Sequence, residues 1–252
     1  MVGAVKETLG NNGPRQKSQL IVELVGLAGT GKTSLAKALS QHNENFLISP
    51  DLQLRKKKHF FIFVGNIPFL LPLFLRYSSK DRLLTWEEIK AIVYLTNGAQ
   101  IINQQTAGNG EFLLLDHGPI FKLAMLNAYG PESLKNKGSE LWWQEMYKQW
   151  TCTLDIIIWL DAPDPILKER INSRQQKHLV KERSEEEVYK FLTQYRESYK
   201  LILEKLMLFG RPTLRKFDTN QQSIDQIVDE VITACNLKST QLLNKEQEGV
   251  IC

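Results

Sequence analysis

The 252-residue chain has only three cysteines, Cys152, Cys235 and Cys252, and they stand far apart. No C-x-x-C or Cys/His spacing marks a zinc site, and an odd, scattered set makes no disulfide framework, so a reducing compartment is expected. A strong excess of one charge is also missing. The net charge of +4 and pI near 8.8 suit an anionic small molecule but supply too little positive charge to argue for nucleic acid. The first residues, MVGAVKETLGNNGPRQKSQ, contain no apolar signal core, and Val2 stands where myristoylation needs glycine. Cys252 is not in a prenylation context. The expectation is a cytoplasmic protein. Internal repeats and low-complexity tracts are absent as well.

Long hydrophobic runs are scarce. One apolar-rich uncharged stretch, sixteen positions from Phe60 to Leu75, follows the basic cluster Arg55 to Lys58 and closes on Arg76. Spanning a bilayer takes roughly 20 apolar residues, and Gly65, Pro68 and Pro72 break a regular helix. Two readings of residues 55–77 stay open. One is a peripheral membrane contact, with lysines on anionic lipid and Phe and Leu dipping in. The other is an apolar wall of a binding site.

What the chain does have is a repeated strand signal. Leu20 to Val25, then 46–49, 112–116, 155–161 and 213–218, are short apolar runs, most of them stopped by Gly, Pro or Asp. Their nearly continuous apolar character predicts burial on both faces, as in a parallel sheet covered by helices. Helical patterns begin at Lys32 and recur at about 81–106, 119–129, 139–151, 164–177, 184–208 and 222–236. Trp142, Met146 and Trp150 recur every four residues, a stripe expected to pack on the sheet rather than to serve a ligand, and the run Trp86, Ile89, Ile92, Val93, Tyr94 reads the same way.

Between the first strand and the first helix lies GLAGTGKT, Gly26 to Thr33, which satisfies G-x-x-x-x-G-K-[ST] at every fixed position. Gly26, Gly29 and Gly31 let the backbone turn its N–H groups inward as an anion nest, to which the helix start adds its positive end. Thr30 and Ser34 complete the cradle. Lys32 is placed for the β- and γ-phosphates of a nucleoside triphosphate, and the Thr33 hydroxyl for Mg²⁺. No D-x-x-G switch with N-K-x-D appears, nor LSGGQ, and the chain is short for a motor. A small-molecule kinase is left.

The segment IIIWLDAPDPILKERINSRQ, followed by YKFLTQYRESYKLIL, resembles the C-terminal half of thymidylate kinases and related deoxynucleoside kinases. With the loop and LLLDHGP the resemblance covers most of residues 20 to 220. It implies a three-layer α/β P-loop NTPase fold with a five-stranded parallel sheet ordered 2-3-1-4-5. It also implies phosphoryl transfer from ATP with Mg²⁺ to a nucleoside monophosphate, a nucleoside or another small acceptor. The opening VELVGLAGTGKTSLAKAL is also similar to kinase-like proteins of bacterial polysaccharide gene clusters. The chain departs from these kinases on the acceptor side. It has SPDLQLRKKK where thymidylate kinases carry Glu-Pro-Gly-Gly, and Asp116-His117 where they carry Asp-Arg. The Glu-Arg-Ser of deoxynucleoside kinases is not matched either.

Roles follow, each with a plainer alternative. Asp116, ending a buried strand, holds Mg²⁺ or caps the next helix. Asp51, at the sheet's C-terminal edge, orients the acceptor hydroxyl or is an ordinary Pro-Asp turn. His117 meets an acceptor phosphate or is a surface turn residue. Arg170 and Arg174, one turn apart, lie on one face of a lid helix and neutralise the moving phosphoryl group, or belong to a solvated charged face. Lys177, Lys181 and Arg183 add lid cations, and Arg196 is a further candidate. The expected organisation is an arm at 1–18 and one domain at 19–236, with an acceptor-side helical insertion at 52–111 and a lid at 170–190. A polar tail follows at 237–252. The rival expectation is a nucleotide-binding switch with slow hydrolysis, possible at a membrane surface through 55–77.

Overall fold

The computed structural model describes residues 19–49, 82–105, 112–175 and 178–247. Strands β1 (Leu20–Gly26), β2 (Phe46–Ile48), β3 (Phe112–Asp116), β4 (Ile156–Asp161) and β5 (Thr213–Asp218) form one sheet in the order β2-β3-β1-β4-β5. Every neighbouring pair is parallel. Two cores explain the unbroken apolar runs. Leu20, Val22 and Leu24 of β1, with Phe112, Leu114, Ile156, Ile158 and Leu160, pack beneath α1 (Lys32–His42) and α7 (Ile224–Gln247). The alternate residues Ile21, Val25, Leu113, Leu115, Ile157 and Trp159 face the other layer. That layer contains α2 (Trp86–Gln105), α3 (Pro119–Tyr129), α4 (Glu140–Thr153), α5 (Asp164–Ser173) and α6 (Glu185–Met207). The expected three-layer sheet and its order are what the chain forms.

Three helix ends differ from the sequence reading. α2 starts at Trp86 rather than 81, because Thr85 and Glu88 cap each other's backbone N–H groups and Arg82 grips the Glu88 carboxylate at 2.9 and 2.6 Å. Trp86, read as part of a buried stripe, is consequently at the exposed first position, whereas Ile92, Val93 and Tyr94 are buried. α5 stops at Ser173, not 177. Its buried face consists of Leu167 and Ile171, and the next positions on that face, Arg174 and Gln175, have nothing apolar to add. The tail expected from 237 is helical through Gln247: Leu242 packs on the core, and Lys238 donates to the Arg211 carbonyl and Thr213 Oγ1, both at 3.2 Å.

The tryptophan stripe is core. Trp150 is fully buried, stacks on Tyr94 at 5.6 Å and donates Nε1–H to the Leu95 carbonyl at 3.0 Å. Trp150→Ala is expected to cost about 3–5 kcal/mol, seen in thermal denaturation as a midpoint lower by roughly 6–20 °C. A shift under about 2 °C would show that α2 and α4 do not depend on this contact.

Candidate active site

The C-terminal ends of β1, β3 and β4 meet at one edge, with Leu24 opposite Asp116 and Gly26 opposite Leu160. The loop that leaves β1 there is tight. A Cβ at residue 26 would lie 2.4 Å from the Leu160 carbonyl oxygen, so only glycine passes. Gly31 has φ +90° and faces open space, presenting bare backbone at the start of α1. Thr30 is buried, and its hydroxyl donates to the Leu27 carbonyl at 2.9 Å, so this side chain braces the loop from inside. Ser34 is exposed in the first turn of α1.

Lys32 folds across the loop, its Nζ donating to the carbonyls of Gly26 at 2.8 Å and Leu27 at 3.0 Å. Burial lowers its pKa to about 8, with Arg174 adding to the fall and Asp116 opposing it. Beside it, Thr33 Oγ1 donates to Asp116 Oδ2 at 3.2 Å. The other oxygen, Oδ1, is buried without a hydrogen-bond partner, and His117 Nδ1 lies 3.9 Å away. Asp116 does not cap α3. The cap position is Gly118, and the first free N–H groups of the helix are taken by a residue the sequence reading passed over, Glu23 of β1. The only hint had been a single carboxylate inside the apolar run LIVELVG.

The arginines divide. Arg170 donates to Thr219 through its hydroxyl at 2.8 Å and its carbonyl at 2.9 Å, and to the Gly29 carbonyl at 3.4 Å. It ties the glycine loop to the segment after β5. Arg174 is not on the helix face with Arg170. It is the C-cap residue with ψ 144°, and its charge is felt at Lys32 and at His178. Arg196 is a correction. Its guanidinium is held by Asp161 at 3.1 and 3.2 Å and by Asp164 at 2.6 Å, so its fork is committed to these two carboxylates. A cleft of about 560 Å³ beside that ion pair contains none of the loop residues.

His178, also passed over, has its pKa lowered by burial and by Arg174 and Lys32. A chain of rings runs from the β3–α3 turn to it: His117 on Phe121 at 4.7 Å, Phe121 to Tyr195 at 6.4 Å, Tyr195 to Phe191 at 4.9 Å, and Phe191 to His178 at 5.4 Å. Asp51, Lys177 and the stretch 55–77 lie outside the described residues. Among the described residues no helix is long and apolar enough to cross a membrane.

No family model and no curated protein matches the sequence. Solved structures do. A thymidylate kinase from Candida albicans is similar over 88% of this chain and 93% of its own, with TM-score 0.53 and 16% sequence identity. A deoxyadenosine kinase from M. mycoides, solved with the products dCMP and dCDP, is similar over 86% and 99%, with TM-score 0.50 and 15% identity. The chain has the P-loop kinase fold.

Proposed function

We propose that the protein transfers the γ-phosphoryl group of ATP to a small acceptor, with nucleoside monophosphates and nucleosides as the first candidates. The observation that carries this reading is the constellation of Lys32, the glycine loop, Thr33 and Asp116 at one sheet edge. In this scheme the loop N–H groups and the N-terminus of α1 receive the phosphates, and Lys32 exchanges its two carbonyl partners for phosphate oxygens. The acceptor oxygen forms a bond to the γ-phosphorus as the bond to the β,γ-bridging oxygen breaks, and ADP leaves. Arg174 closes over the charge that moves, and Asp51 orients the acceptor and takes its proton where it is a hydroxyl. Arg170, Gly29 and Thr219 fix the nucleotide side of the loop.

Mg²⁺ fits this donor set. Asp116 Oδ1 is an orphaned buried oxygen next to a hydroxyl, and Mg²⁺ prefers one or two carboxylates together with phosphates and water. When bound it would neutralise charge on the phosphates. Thr33 and Asp116 would hold it.

The deciding experiment is an ATP-consumption screen across nucleosides, nucleoside monophosphates and sugars. Acceptor-stimulated turnover is expected, and none anywhere would move the reading to a nucleotide switch. Proton linkage gives a second check. Lys32 in the free protein loses its proton as pH rises through about 8, whereas a bound polyphosphate restores it. Nucleotide affinity should therefore fall above that pH, by up to about tenfold per unit, with one proton taken up on binding. Calorimetry in two buffers at pH 9 measures that proton. No uptake would mean that Lys32 does not meet the phosphates.

A further inference from the structure

An aspartate at the end of a strand that runs into a helix has two competing uses: it can cap the helix, or it can point into the site. In this chain the competition is decided by a side chain from another strand. Gly118, at the cap, brings no side chain, and Pro119 at the first helical position has no N–H. The next two donors are both taken by Glu23, fully buried in the middle of β1. Its Oε1 accepts from Ile120 N at 2.9 Å and Phe121 N at 3.2 Å, and its Oε2 from Ile120 N at 3.1 Å. The fit is close. A Cβ at residue 118 would lie 2.7 Å from Glu23 Cδ and 2.8 Å from Oε1, so Glu23 and Gly118 specify one another.

The turn between them is held as well. His117 sits at φ +61°, and Lys122, whose ammonium lies 4.3 Å from the Tyr94 ring centre, donates to the His117 carbonyl. Burying a carboxyl group costs free energy that an apolar residue would not, and β1 is otherwise apolar at every neighbouring position. Burial pushes the Glu23 pKa up to about 8 even though the Ile120 and Phe121 N–H bonds pull it down. With the helix donors occupied, Asp116 is left to accept from Thr33, with Oδ1 free.

We propose that Glu23 is a positioning residue for the metal-facing carboxylate, taking over the cap of α3 so that Asp116 is held toward Thr33 and the cation. The inference rests on the phosphoryl-transfer reading. It acts through another residue, so its signature is a change in metal response and not in nucleotide contact.

The test compares wild type with Glu23→Gln. Glutamine keeps one acceptor oxygen but turns an NH₂ toward the helix N–H groups. Nucleotide affinity is measured in EDTA and across a Mg²⁺ titration, with the melting temperature beside it. The expected result is unchanged affinity in EDTA and a Mg²⁺ half-saturation raised roughly 10- to 100-fold, the usual effect of an outer-shell change. Should Glu23→Gln not fold, Gly118→Ala, which pushes the carboxylate from the other side, is judged by the same two readouts. A variant that folds and responds to Mg²⁺ as wild type does overturns the inference alone. A wild type indifferent to Mg²⁺ overturns the phosphoryl-transfer reading and the inference with it.

Discussion

Replacing Lys32 with alanine is expected to lower acceptor-stimulated ATP turnover by about 10³-fold or more, the scale of losing one preorganised charge from a phosphoryl-transfer site. The fold should survive. Lys32 contributes two hydrogen bonds to loop carbonyls, but its lowered pKa means that the folded protein disfavours its charge. The sign follows from linkage: below about pH 8 both states hold the proton, and the whole cost of the buried ammonium is present. Between about pH 8 and the ordinary lysine value the folded state binds fewer protons than the unfolded one, so stability rises with pH as that cost is shed. Removing it loses the bonds and relieves that cost, and the melting temperature should move by only a few degrees. Lys32→Arg keeps the charge and changes its shape. Since a guanidinium cannot serve as a compact point charge under the loop, it too should be strongly impaired. Turnover is read in the coupled ATP assay with the acceptor that the screen identifies. An alanine variant within a few fold of wild type would sink the proposed mechanism.

How much of this could be seen in the sequence depended on how local each feature is. The sheet was legible because β1, β3 and β4 are buried on both faces, so each strand advertises itself without reference to any partner. The loop was legible because backbone turning and charge placement are set by eight adjacent residues. Features settled by distant partners were not. Arg196 carries the same residue type as Arg174, yet its partners Asp161 and Asp164 lie on β4 and α5, more than thirty positions away. Glu23 and Ile120 are separated by 97 residues, so no capping pattern joins them in the sequence. The end of α5 was overrun because charged residues with good helix propensity continue past Ser173, although the buried face has ended. The acceptor side remains as the sequence left it. Asp51 and the 55–77 stretch lie outside the described residues, and liposome co-sedimentation with and without residues 55–77 separates a membrane contact from an apolar acceptor wall.

Asp116→Asn should separate catalysis from stability. The carboxylate is mostly buried; one oxygen accepts from Thr33 at 3.2 Å and the other has no hydrogen-bond partner. A protein selected only for stability would not keep a buried acceptor unpaired, since such an atom costs about 1–3 kcal/mol. Asparagine keeps the shape and the Thr33 contact and removes the charge. Two effects on stability then oppose each other: the desolvated charge is relieved, and the attraction between Asp116 and Lys32 is lost. The melting temperature should therefore stay within a few degrees of wild type. Turnover at saturating ATP should nonetheless fall by about 10²–10³-fold, with a higher Mg²⁺ requirement, because the cation loses its charged protein ligand. Affinity for nucleotide in EDTA should be unchanged or slightly tighter, as a negative charge near the phosphates is removed. The discriminating outcome is a variant that melts normally and turns over ATP within threefold of wild type. That would make Asp116 a bystander held by Thr33, and the metal would have to be carried by residues outside this sheet edge.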